Sequence, residues 1–134
     1  MAGAFVFYFK AQTFHWNVEG PNFPQYHDFF GTVYTTVYGS IDRLAEEIRM
    51  LGSYAPTSLA DVLQKSGISE STDVQSTQAM FNTLLADNKT IMNGLTEGFK
   101  MAEEAGELGL ANYLQDLLDN HKKLAWMISS TSKG

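Results

Sequence analysis

Residues 24–51 read PQYHDFFGTVYTTVYGSIDRLAEEIRML. Counting from the residue just before them, the apolar stripe falls at Phe23, Tyr26, Phe30, Val33, Val37, Ile41, Leu44, Ile48 and Leu51. Steps of three and four mark one face of an α-helix, whereas a half-buried strand alternates at every second residue. The stretch predicts one long helix from Pro24 to Leu51, with Gly52 as its C-terminal stop. Upstream, Gly20-Pro21-Asn22-Phe23-Pro24 is the clearest break in the chain and separates this helix from a first one over Ala4 to Val18. Downstream the pattern loosens from Ser53 to Ser76. Ser58 can cap a short helix that ends near Gly67, and Ser69 to Ser76 reads as polar linker. A third long helix is predicted from Val74 to Ala105, with Phe81, Leu84, Asn88, Ile91, Leu95, Phe99 and Ala102 on one stripe. A fourth is predicted from Leu108 to Ser129, with Leu110, Leu114, Leu117, His121, Leu124 and Ile128 in register. No hairpin dipeptide or β-type alternation competes. Four amphipathic helices, with a crossover carrying a short helix between the second and third, predict an all-α, ferritin-like four-helix bundle. The length suits a single domain over residues 1–134.

Composition narrows the function. Apolar residues are 44% of the chain, enough for a core, and charged residues are 18%, too few for a disordered chain. The net charge of −6 and the lack of any Lys/Arg cluster denser than Lys122–Lys123 disfavour binding to nucleic acid phosphates. The chain has no cysteine, which excludes disulfides, thiolate metal sites and cysteine nucleophiles. Met1 to Phe9 is apolar, but no basic segment precedes it and Lys10 soon interrupts. No run reaches the length of a membrane span, so a soluble, cytoplasmic protein is expected.

No serine sits in a nucleophile turn and no phosphate loop is present. The chemistry-bearing residues are nitrogen and oxygen ligands on helices. His15 lies near the end of the first helix and His27 at the start of the second. Asp42 and Glu46 lie one turn apart later in the second, on a shared face. His27 and Asp42 point in similar directions but are about 22 Å apart along the helix axis. One metal cannot take both from one helix. If the histidine pair and the carboxylate pair share a site, a second copy supplies one half. A two-fold axis near residue 35 does this and makes two equivalent sites per dimer. Two imidazoles with two carboxylates suit iron, manganese or zinc.

The stretch from Phe14 to Phe23, Phe-His-Trp-Asn-Val-Glu-Gly-Pro-Asn-Phe, resembles the segment that opens the first interhelix loop of the Dps (DNA protection during starvation) family of mini-ferritins. His27 follows at that family's spacing. Asp42 and Glu46, within Ile41 to Arg49, match its second motif, and His121 to Met127 is similar to its closing segment. The resemblance covers nearly the whole chain. It implies a hollow homo-oligomer of twelve subunits built from two-fold dimers, with iron oxidised at the dimer interfaces by hydrogen peroxide or dioxygen and stored as ferric mineral. It implies His15 and His27 from one chain as metal ligands, completed by Asp42 and Glu46 of its partner. Two positions depart from the pattern. Gly31 stands where the family usually has a carboxylate one turn after the second histidine. Asp28 lies nearby but about 100° around the helix. Asn112 stands where the three-fold pore usually has an aspartate, leaving Glu107 and Asp116 as candidate pore carboxylates. Some members of the family carry a basic tail, which this sequence does not show, so DNA binding is not expected.

Simpler roles compete at several positions. His121, on an apolar stripe, is expected to be a hydrogen-bonded core or interface residue. Trp16 and Trp126 are read as packing residues, and Trp16 also as an oxidation-prone neighbour of the site. Tyr34 and Tyr38 are expected in a dimer contact. Glu103, Glu104 and Glu107 read as a solvated helix end. The competing functions are a shell or scaffold with impaired oxidation, for which Gly31 speaks, and a DNA-compacting protein, against which the acidic charge speaks.

Overall fold

A computed structural model of the chain describes residues 1–133, and Gly134, the last residue of the expected domain, lies outside them. The described residues are all-α: α1 (Ala2–Asn17), α2 (Phe23–Met50), α3 (Leu59–Ser66), α4 (Thr77–Glu104) and α5 (Leu108–Ser132). The four long helices and the short crossover helix are those the periodicity predicts. No helix among the described residues is long and apolar enough to cross a membrane.

Local chemistry explains the boundaries. Between α1 and α2, Gly20 takes a left-handed φ of +124°, and the Phe23 amide closes the turn onto the Gly20 carbonyl at 3.0 Å. Pro24 opens α2, where its missing N–H costs no hydrogen bond. Ser58 caps α3 by accepting from the Asp61 amide at 3.1 Å, and Gly67 ends it in the left-handed region. The sequence places the start of α4 at Val74, but the helix begins at Thr77. Ser76 is the reason, because its hydroxyl accepts from the Ala79 amide and fixes the helix start after it.

The chain divides into two compact units, Met1–Leu84 and a second that begins at Leu85, with the division inside α4. In the first, α1 packs against α2 and α3. Phe7, Phe30 and Phe81 are fully buried there, each contributing roughly 1.5–3 kcal/mol from apolar surface removed from water. The seam of α2 differs from the expected stripe in its second half. The buried residues are Phe30, Val33, Val37, Ser40, Leu44 and Glu47, while Ile41 and Ile48 are only half-buried. Two polar residues can take seam positions because each has a local partner. The Ser40 hydroxyl donates to the Val37 carbonyl at 2.7 Å, and Arg43 Nε donates to Glu47 Oε1 at 3.0 Å. The half-buried isoleucines therefore lie beside the seam.

In the second unit, Leu114, Leu117, His121, Leu124 and Ile128 line the buried face of α5. Gly98 on α4 lets the helices approach closely, since a Cβ there would lie 3.3 Å from Leu114 Cδ1. The two tryptophans lie outside the core of the single chain, with Trp16 58% and Trp126 65% exposed.

Candidate metal centre

The α1–α2 turn folds His15 back over His27. Their rings stack at 3.7 Å, tilted by 17°. Each imidazole binds the other residue's backbone: His15 Nδ1 donates to the His27 carbonyl and His27 Nδ1 to the His15 carbonyl, both at 2.6 Å. A carbonyl can only accept, so both Nδ1 atoms carry a proton, which in the neutral imidazole leaves the lone pair on Nε2. This is the arrangement that orients a metal-ligating histidine, with one ring nitrogen fixed by an oxygen acceptor and the other left to bind. Both histidines are half-buried. His15 opens onto a depression of about 490 Å³ lined also by Asp28, Gly31, Thr32, Tyr34, Thr35 and Thr36.

Gly31 takes part in this geometry by lacking a side chain. A Cβ there would come within 3.3 Å of His15 Cε1 and Nδ1. The bare backbone thus gives the His15 ring room against α2. Sequence reasoning saw Gly31 as a missing ligand and did not see this packing role.

Asp42 and Glu46 are both exposed. The Glu46 carboxyl is held above its ordinary range, first by a hydrogen bond with Asp42, then by the Asp42 charge and partial desolvation, with the Arg43 charge pulling the other way. Two carboxylates one turn apart on one helix face repel each other, and a bound cation would relieve that repulsion. The histidine pair and the carboxylate pair are not brought together within one chain. Among the described residues, no group of three or more ligand side chains could hold a metal ion.

A residue that sequence reasoning passed over lies next to this centre. Tyr8 on α1 packs its ring 6.2 Å from Tyr34 and 4.9 Å from Tyr38, and Tyr34 meets His15 edge-on at 5.3 Å. Tyr8 and His15 are seven residues apart on one helix, hence on one face, and that spacing was the available signal. Trp16 sets its ring against Phe9 at 6.4 Å. His121 is 3% exposed, and its Nδ1 lies 2.7 Å from Asn88 Oδ1, while Asn88 Nδ2 donates to the His121 carbonyl at 2.9 Å. It is the hydrogen-bonded core residue expected.

Residues 1–133 match the ferritin-like domain family. The chain is 33% identical to the DNA protection during starvation protein of Brevibacillus brevis, over 93% of this chain and 84% of that one. The chain belongs to the Dps family. Its fold superposes on Dps from Thermosynechococcus elongatus with a TM-score of 0.93 at 28% identity, covering 97% of this chain and 83% of that one. Against the Dps protein of Vibrio cholerae, described as a ferritin-like diiron-carboxylate protein, the TM-score is 0.91 at 28% identity, covering 96% and 81%. The fold class is therefore the ferritin-like all-α bundle, with α3 in the crossover between α2 and α4. Asn112, Glu107 and Asp116, the positions that the resemblance offers as a pore, are all exposed on or beside α5.

Proposed function

We propose that this chain, acting as one ferritin-like domain, is a subunit of a hollow cytoplasmic oligomer that binds iron(II) as substrate, oxidises it between two copies, and stores the product. In this reading His15 and His27 of one chain meet Asp42 and Glu46 of another around the iron. Membership of the Dps family supports iron storage and protection from oxidative damage as the general role.

The observation that carries the shared site is the division of ligands on α2. Two imidazoles with fixed Nδ1–H tautomers stand at one end and two hydrogen-bonded carboxyls at the other. No set of three ligands forms among the described residues of a single chain. The two halves are about 22 Å apart along the helix, so a two-fold mate crossing near residue 35 would close both gaps at once. Twelve subunits in two-fold dimers is the assembly we assign. A divalent ion between Asp42 and Glu46 offsets the repulsion of the two carboxylates, which in turn stabilise the charge that builds as iron(II) becomes iron(III). The imidazole Nε2 atoms complete the shell. Hydrogen peroxide or dioxygen is the oxidant. The net charge of −6 sets this chain against DNA compaction at physiological salt. A second reading, a shell with impaired oxidation, is favoured by Gly31, which supplies no carboxylate beside His27.

Complementation tests the shared site. His27→Ala and Glu46→Ala subunits are mixed under conditions that exchange chains, and iron(III) formation is followed. Each mixed dimer then has one complete site and one doubly damaged site, so activity returns in part. No recovery despite demonstrated exchange places the ligands within one chain.

A further inference from the structure

A chain of phenols leads away from the histidine pair. Tyr34 meets His15 edge-on at 5.3 Å, Tyr8 lies 6.2 Å beyond Tyr34, and Tyr38 lies 4.9 Å beyond Tyr8. These separations are within the range of direct ring contact. The Tyr8 hydroxyl donates to Gln12 Oε1 at 3.2 Å, and Tyr34 lines the same open depression as His15. Phe23, the ring stacked on the opposite histidine at 5.0 Å, carries no phenol. Of these two rings in contact with the histidine pair, the oxidisable one, Tyr34, stands on the His15 side.

Gly31 gives these phenols a task. Reduction of hydrogen peroxide to hydroxide and water takes two electrons, and one iron(II) supplies one. With no carboxylate at position 31 to help hold a second iron beside the first, the second electron must come from another donor, or a hydroxyl radical escapes. We propose that Tyr34, Tyr8 and Tyr38 form an electron-donating relay that supplies this second electron to peroxide at the His15–His27 site. The proposal rests on the iron-oxidising reading above. In the step, iron(II), hydrogen peroxide and one tyrosine give iron(III), hydroxide, water and one neutral phenoxyl radical. The O–O bond breaks, and one electron comes from iron and one from Tyr34. The phenolic O–H bond breaks, and its proton passes through solvent in the depression into the water formed. Because Tyr8 and Tyr38 have the same chemistry as Tyr34, the vacancy moves onto them without a large change in energy, away from the histidine pair that it came from.

The test loads the assembled protein with one iron(II) per site, adds hydrogen peroxide, freezes the sample and records iron(III) and organic radicals by paramagnetic resonance. A parallel sample contains a spin trap for hydroxyl radical. The wild-type protein should give a tyrosyl signal whose lines narrow when tyrosine is ring-deuterated, with little trapped hydroxyl radical. The triple variant Tyr8→Phe, Tyr34→Phe, Tyr38→Phe keeps the rings but should lose the tyrosyl signal and gain trapped hydroxyl radical, while iron(III) still forms. Restoring Tyr34 alone should return the radical, and restoring Tyr38 alone should not. If the triple variant fails to assemble, Tyr34→Phe alone carries the same expectation. Iron(III) formation without a tyrosyl radical in the wild type, or a tyrosyl signal unchanged in the variants, overturns the relay and leaves the iron site standing. Absence of iron oxidation overturns both.

Discussion

His15 and His27, between α1 and α2, and His121, on α5, are the same residue type held in opposite ways. The first two are half-buried and bind backbone carbonyls through Nδ1, and His15 opens toward a surface depression. The third is buried and lies against the Asn88 side chain. The consequence follows from water and lone pairs. A half-exposed imidazole with its Nδ1 proton committed can bind a cation at Nε2. An imidazole out of water is costly to charge, and burial lowers the His121 pKa to about 4. Histidine on a helix face is thus legible as ligand or core only from the atoms around it.

The sharpest way to break this contrast is to remove each kind and measure both activity and stability. His27→Ala should slow iron oxidation by about a hundredfold or more, since losing a ligand costs at least as much as losing a supporting partner. Its effect on the unfolding free energy should stay within about 1 kcal/mol, because the ring is half-exposed. His121→Ala should do the reverse. It leaves a cavity and strips Asn88 Oδ1 of its neighbour, which together should cost about 3 kcal/mol in denaturant unfolding. Iron oxidation per folded subunit should be retained. A stability loss in His27→Ala matching that in His121→Ala would erase the distinction.

Acid should separate the two surroundings as well. In the folded chain His121 stays neutral until about pH 4, while in the unfolded chain it takes up its proton near 6.5. The unfolded state binds more protons through that window, so stability falls as pH drops from 6.5 toward 4, by about 3 kcal/mol when complete. Unfolding midpoints of the wild type and His121→Gln against pH check this. The wild type should show the steeper acid loss, and parallel curves would mean that another group sets it.

The helices were legible because their signals are local. The three-four spacing from Phe30 to Leu44, the Gly20 to Pro24 break and the Ser58 cap each act within one turn or one helix. The α4 start was misplaced by three residues because Val74 continues the apolar pattern, while the Ser76 cap is a single hydrogen bond that periodicity does not register. The α2 seam was misjudged after Val37 because Ser40 and Glu47 look solvent-facing until their partners at Val37 and Arg43 are seen. The histidine pair and the carboxylate pair could be named from the sequence. Their reciprocal carbonyl bonds could not, since these depend on how the turn at Gly20 folds α1 over α2. The tyrosine cluster required knowing which faces of α1 and α2 touch.

Gly31 gives the smallest expected effect and the finest test of the comparison, because it changes His15 without removing it. Adding a Cβ has two consequences. Alanine in a helix interior is about 1 kcal/mol more favourable than glycine, so Gly31→Ala should not lower the melting temperature. The same Cβ stands 3.3 Å from two atoms of the His15 ring, so the ring must move by a few tenths of an ångström. It is tethered by its bond to the His27 carbonyl, and the displacement therefore falls on Nε2. A shift of that size should slow iron oxidation by about two- to fivefold, well short of the loss that follows a whole ångström of misplacement. Gly31→Asp adds the same Cβ and a carboxylate one turn after His27. It carries the same displacement but gains a ligand for a second iron, so it should outpace Gly31→Ala and exceed the wild type once both positions fill. Initial rates for the three proteins at one and at two iron(II) per site separate the effects. The alanine deficit should appear at both loadings and the aspartate gain only at the higher one. Equal rates for glycine and alanine would mean that His15 is not held as tightly as its 2.6 Å bond implies.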